Sequence, residues 1–87
     1  MSEQHKLLDD LVLKLKQQRD ELRVRMHLAK AEVRDEWDSL DRRFTKLMDD
    51  YKPARDATGQ AAANVWAALE LTGEELLHGF NQIRKAL

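Results

Sequence analysis

Few residues in this 87-residue chain have the types and spacing to do chemistry: it has three histidines and no cysteine among many carboxylates. The most suggestive group is Glu75-Leu76-Leu77-His78. A Glu-x-x-His on each of two facing helices, with a carboxylate from each of two others, is how di-metal carboxylate bundles hold their ions. In a hairpin folded back on itself Glu75 falls near the level of Glu32, with Glu36 one turn away, so Glu32, Glu36, Glu75 and His78 form the candidate metal set. Helical geometry opposes it. At about 100° per residue, His78 points roughly 200° away from Leu76 and so off the apolar face where a bundle would hold its metal. A surface histidine beside Glu74 and Glu75 is the expectation, with no metal bound. His5 and His27 have no second histidine at ligand spacing, so they are placed at solvated or rim positions. No serine or cysteine has a local histidine to activate it, and the glycines form no phosphate-binding loop. Neither enzymatic activity nor a cofactor is expected.

The elements that would position these residues are long helices. From Leu11 to Tyr51 large apolar residues recur at spacings of four, three and four: Leu11, Leu15, Leu22, Met26, Ala29, Val33, Trp37, Leu40, Phe44, Met48 and Tyr51, with Gln18 alone breaking the stripe. Leu11, Leu22, Val33 and Phe44 stand eleven apart. Such a repeat keeps one stripe on one side of a nearly straight helix. With 36% charged residues, one proline and three glycines, the composition is that of solvated helices and not of a sheet. Absence of cysteine excludes a disulfide framework and a thiolate metal site. The first residues lack the basic-then-apolar order of a signal peptide and no run approaches a membrane span, so the expected location is the cytoplasm.

Charge is unevenly spread. Between Lys14 and Lys30 six cations (Lys14, Lys16, Arg19, Arg23, Arg25, Lys30) stand against Asp20 and Glu21, a net of +4. Between Glu32 and Asp50 four cations (Arg34, Arg42, Arg43, Lys46) stand against seven acids, a net of −3. The interleaved acids and a whole-chain charge of −1 point to a salt-bridge surface and not to nucleic-acid binding. Read on a single helix, this reversal is a charge dipole that favours antiparallel pairing of two copies.

The first helix is expected over about residues 2–51, with Ser2 as N-cap, and to end before Pro53, which cannot donate an N–H. A turn follows at about 52–58, and a second helix at about 54–86. The Thr72-Gly73-Glu74-Glu75 sequence leaves a kink near Thr72 as an open alternative. Ala62, Val65, Trp66, Leu69, Thr72, Gly73, Leu76, Leu77, Phe80, Ile83 and Leu87 share the second helix's broad face. Folded back, that helix runs out opposite Arg19 and leaves Leu7, Leu8, Leu11, Val12 and Leu15 uncovered. A second chain is the economical cover, because each exposed large aliphatic forfeits about 1.5–3 kcal/mol. The expected architecture is therefore all-α: a helical hairpin with an eleven-residue repeat, dimerising into an antiparallel four-helix bundle. Its self-association seam would be Leu7, Leu8, Leu11, Val12, Leu15, Leu22, Met26, Val33, Trp37, Leu40 and Phe44.

The segments AKAEVRDEW (residues 29–37) and AAANVWAALELTGEELLHGFNQIRKAL (residues 61–87) resemble those of small bacterial coiled-coil proteins, in which an Ala-Trp-x-x-Leu segment precedes a second amphipathic repeat. That resemblance implies a non-enzymatic helical protein with no catalytic residues to transfer. The expected function is a self-associating helical interaction or scaffold module, with another helical protein as a further candidate partner. Its first rival is an amphipathic protein of membrane or granule surfaces, and its second a metal-binding bundle.

Overall fold

The computed structural model describes residues 3–87, with side chains described from His5 onward. Every regular element among them is helical: α1 (Glu3–Arg25), a 3-10 turn (Met26–Leu28), α2 (Ala31–Arg55) and α3 (Gln60–Ala86). The N-cap assigned to Ser2 lies outside the described residues.

The expected 2–51 helix is instead two helices. Ala29 (φ −83°, ψ 151°) and Lys30 (φ −69°, ψ 158°) are extended, and the chain reverses there. No proline or glycine marks the place. What stabilises the break is the way the carbonyls at the end of α1 are covered. His27 Nδ1 donates to the Val24 carbonyl at 2.8 Å, and the Ala29 N–H donates to Met26 at 3.1 Å. The Arg34 guanidinium reaches back to the Met26 and His27 carbonyls, each at 3.3 Å. Cations at a helix C-terminus and acids at an N-terminus are both favoured by the helix dipole. Arg23 and Arg25 close α1, and Glu32 opens α2. The charge reversal near residue 31 therefore marks a helix boundary, and the eleven-residue spacing runs across two helices.

The second turn is also displaced from its expected position. Pro53 lies inside α2, two residues before its end, where one lost backbone donor is tolerated, and the loop falls at residues 56–59. Gly59, at φ +90°, takes the left-handed conformation that starts α3. α3 runs unbroken through Thr72-Gly73; the Thr72 hydroxyl donates to the Ala68 carbonyl at 3.1 Å and caps nothing.

The three helices, of 23, 25 and 27 residues, form a bundle 45 Å long and 18 × 16 Å across. α3 lies parallel to α1 and antiparallel to α2, and it packs closely against both. α1 and α2 meet mainly through long side chains. Two glycines set these close approaches. A Cβ on Gly73 would sit 2.8 Å from Leu11 Cδ2 of α1, and one on Gly79 would sit 2.7 Å from Leu40 Cδ2 of α2.

The core closes within one chain. Leu8, Val12, Leu15, Leu22, Met26, Trp37 and Phe44, all assigned to a seam between copies, are buried, and Leu11, Val33 and Leu40 pack half-buried against them. Only Leu7 of that set remains substantially exposed, at 51%. The overhang that called for a second chain is thus covered by α3 of the same chain. On α3, Ala62, Trp66, Leu69, Gly73, Leu76, Phe80 and Ile83 are buried as their spacing requires, whereas Val65 and Leu87 at the ends of that face are exposed.

Candidate interaction surface

At the end of the bundle where α1 begins and α2 stops, polar side chains join all three helices. His5 is only 4% exposed, which corrects its placement at a solvated rim. Its Nε2–H donates to the Arg55 carbonyl at 2.9 Å; a carbonyl can only accept, so this contact places the proton on that nitrogen. Its Nδ1 faces Asp9 Oδ2 at 3.4 Å, and the imidazole stands edge-on to Trp66 with centroids 4.9 Å apart. The Tyr51 hydroxyl donates to the other oxygen of Asp9, and Trp66 Nε1–H donates to the Ala54 carbonyl at 2.7 Å. A helical wheel offered the clue, since His5 is seven residues before Val12 and three before Leu8, on the flank of the apolar stripe.

This group clasps the three helices together. Burial, reinforced by the hydrogen bond and charge of Asp9, pushes the Tyr51 phenol up to about 12 against a small opposing effect of Arg55. A phenol held that high stays protonated at neutral pH and donates to Asp9. Between pH 10 and 12 the unfolded chain releases this proton while the native chain keeps it. The associated stability, on the order of 2 kcal/mol, is therefore intact below pH 10 and is lost as pH rises through about 12. Tyr51 is the only tyrosine, so phenolate absorbance reports it alone. Its midpoint should lie near 12 in the native protein. In Asp9→Asn it should fall but stay above 10, because burial is the larger cause.

Midway along the bundle Arg19 spans α1 and α2. Its Nε donates to Asp41 at 2.7 Å, and its guanidinium lies 5.4 Å from the Phe44 ring centroid. Arg84 of α3 bonds Gln18 and, at 2.8 Å, Glu21 of α1. Arg19–Asp41 is thus an ion pair between the basic half of α1 and the acidic half of α2 inside one molecule.

The metal candidates are dispersed. Glu75 pairs with Arg43 at 3.2 Å, and His78 lies exposed with its Nε2 3.5 Å from Gln82. Since Gly79 abuts Leu40, Glu36 and Glu32 lie one and two turns beyond that level, away from Glu75. Among the described residues no group of three or more acidic, histidine or cysteine side chains is placed to hold a metal ion.

Of the exposed large aliphatics, which also include Leu7 and, on α3, Leu71, three lie on the outer side of α1 and in its turn, a surface that sequence reasoning assigned to no site. Leu13, Val24 and Leu28 are 57%, 72% and 77% exposed, although the core is complete without them. Leu13 and Val24, eleven residues apart, fall on one side of the helix, and Leu28 stands exposed in the 3-10 turn that follows. Lys14, Lys16, Arg23, Arg25 and Lys30 are all exposed around them. Among the described residues none of these five is in an ion pair, whereas of the acids on that side Asp20 lies 3.8 Å from Arg19, Glu21 is bound by Arg84, and Asp10, one turn before Leu13, is exposed. The spacing of Leu13 and Val24 was legible as a second, outward stripe two residues out of step with Leu11 and Leu22.

No protein-family model, no curated protein and no solved structure matches the chain. No described helix is long and apolar enough to cross a membrane.

Proposed function

We propose that this protein is a non-enzymatic helical interaction module, a bundle that presents the outer ridge of α1 to a partner. One observation carries the reading. Leu13, Val24 and Leu28 stand exposed on a molecule whose seventeen buried apolar side chains already form a closed core. Leu13 and Val24 share one side of α1 and are ringed by exposed cations in no ion pair, a combination best explained by a surface that covers them part of the time. The resemblance to small bacterial coiled-coil proteins points the same way. Self-association belongs to this reading in altered form, because a second copy would now meet the ridge and not Leu8, Val12 or Leu15.

The test is the variant Leu13→Gln/Val24→Gln/Leu28→Gln. All three side chains are exposed, so its thermal midpoint should stay within about 2 °C of the parent's. In an extract of the source cells the parent should run above its 10.2 kDa chain mass, and the variant should shift toward it. A parent at chain mass that the variant matches in the extract, in sedimentation and on lipid vesicles would overturn the reading.

The cations beside the ridge also favour the membrane-surface alternative. The +4 of residues 14–30 stays with α1 and its turn, while the acids that diluted that signature after Glu32 sit on a separate helix.

A further inference from the structure

We infer that the partner of the α1 ridge is an anionic lipid surface, on which the folded bundle lies along its side. The inference rests on the ridge being the recognition surface and names what it recognises.

Shape separates the possible occupants. A helix docking in a groove offers anchors at i, i+3, i+4 and i+7, so that its apolar seam is continuous. Between Leu13 and Val24, about 16 Å along the helix, the outward positions are Gln17 and Asp20. Isolated aliphatics on a convex ridge suit a fluid interface, which closes around each one separately.

Charge points the same way. Arg23 and Arg25 lie about 100° to either side of Val24, while Lys16 and Lys14 bracket Leu13. Lys and Arg placed so can lay their stems along an apolar boundary and keep their charges at headgroup level, and each contributes attraction to an anionic leaflet. Asp20 and Glu21 are engaged and Asp10 precedes Leu13 by a turn, so the cations from Lys14 to Lys30 outnumber the acids beside them and are available to an outside anion.

A second copy fits less well. The complementary acidic surface, Glu32, Asp35, Glu36 and Asp38 at the start of α2, is exposed, yet α2 has no exposed large apolar side chain among the described residues to receive the aliphatics. The same asymmetry orients the molecule. α1 faces the lipid, and α2 with its acids turns away.

The experiment is flotation of the full chain with vesicles of phosphatidylcholine alone or with about 30 mol% phosphatidylserine. Partitioning should rise at least tenfold with phosphatidylserine and fall steeply in high salt, where the Debye length shrinks to about 3 Å. Helicity should be the same with and without vesicles, because the bundle docks folded. The triple glutamine variant and Lys14→Gln/Arg23→Gln/Arg25→Gln should each lose at least tenfold while keeping the parent's thermal midpoint. Lys46→Gln/Lys52→Gln on α2 should behave like the parent.

No preference for phosphatidylserine, or equal partitioning of the parent and both α1 variants, overturns the lipid assignment. If vesicles fail but sedimentation over a hundredfold concentration range shows a dimer that the triple variant loses, the ridge recognises protein and only the lipid inference falls. If the triple variant matches the parent in vesicles, in sedimentation and in the cell extract, the ridge reading falls with it.

Discussion

Phe80→Ala should lower the free energy of unfolding by about 3–5 kcal/mol, the cost of emptying an aromatic site in a packed core. Phe80 is completely buried, and its ring centroid lies 5.7 Å from that of Trp37 and 6.4 Å from that of Phe44. It therefore ties α3 to two turns of α2, at the level where Gly79 lets Leu40 approach. Tilted aromatic pairs add about 0.5–1.5 kcal/mol beyond area burial, so the upper half of the range is expected. A domain of this length has about 4–13 kcal/mol in total. The loss should lower the thermal midpoint by roughly 15–30 °C. Urea unfolding followed by circular dichroism measures it directly. A loss below about 1 kcal/mol would mean that Phe80 is not at the centre of the α2–α3 contact.

Leu15→Asp should be more severe still. Leu15 is completely buried and lies against Gly73, where a Cβ would already crowd Leu11 of α1. A carboxylate sealed there must either remain charged in an apolar seam or take up a proton, and the cost exceeds about 4 kcal/mol by either route. At the lower end of the stability range such a chain is unfolded at 25 °C. Leu13→Asp, two residues earlier, should cost within about 0.5 kcal/mol, because Leu13 points outward. The contrast between neighbours fixes the face that α1 turns to α3. Because α3 of the same chain covers Leu15, the parent's thermal midpoint should not depend on protein concentration, as it would if a second copy supplied the cover.

The helical class and much of the core were legible because apolar spacing is a direct consequence of helical geometry. Leu15, Leu22, Trp37, Phe44, Leu76 and Phe80 are buried on the faces their spacing assigned. The break after Leu28 was not legible from local preference, since Ala29 and Lys30 are both good helix formers. The break is set by tertiary packing, in which Arg34 covers the free carbonyls and α3 rewards a short α1 with a partner along its length. Its trace in the sequence was the change of sign between Arg25 and Glu32, which served equally well as a dipole on a single helix. His5 and Asp9 were missed because a histidine on the edge of an apolar stripe reads as solvated until the end of another helix arrives to receive it. The ridge was missed for a related reason. On one long helix Leu13 and Val24 are strays beside a dominant stripe, and only with that stripe buried inside a single chain do they stand out as exposed apolar side chains on the outer side of α1.

The account depends most on α1 folding back beside α2 and α3 within one molecule, since only then is the ridge free. The chain has no cysteine, so Lys6→Cys/Asp56→Cys places exactly one pair of spin labels, both at exposed positions. The label-to-label distance, measured by pulsed electron resonance in protein diluted with unlabelled chain, is the most direct test. The 2.9 Å contact of His5 with the Arg55 carbonyl puts the two sites at one end of the bundle. The account predicts a single distance below about 30 Å, well under the length of a 25-residue helix. A distance near 70 Å, the span of a helix unbroken to residue 51, would contradict the fold and with it the ridge.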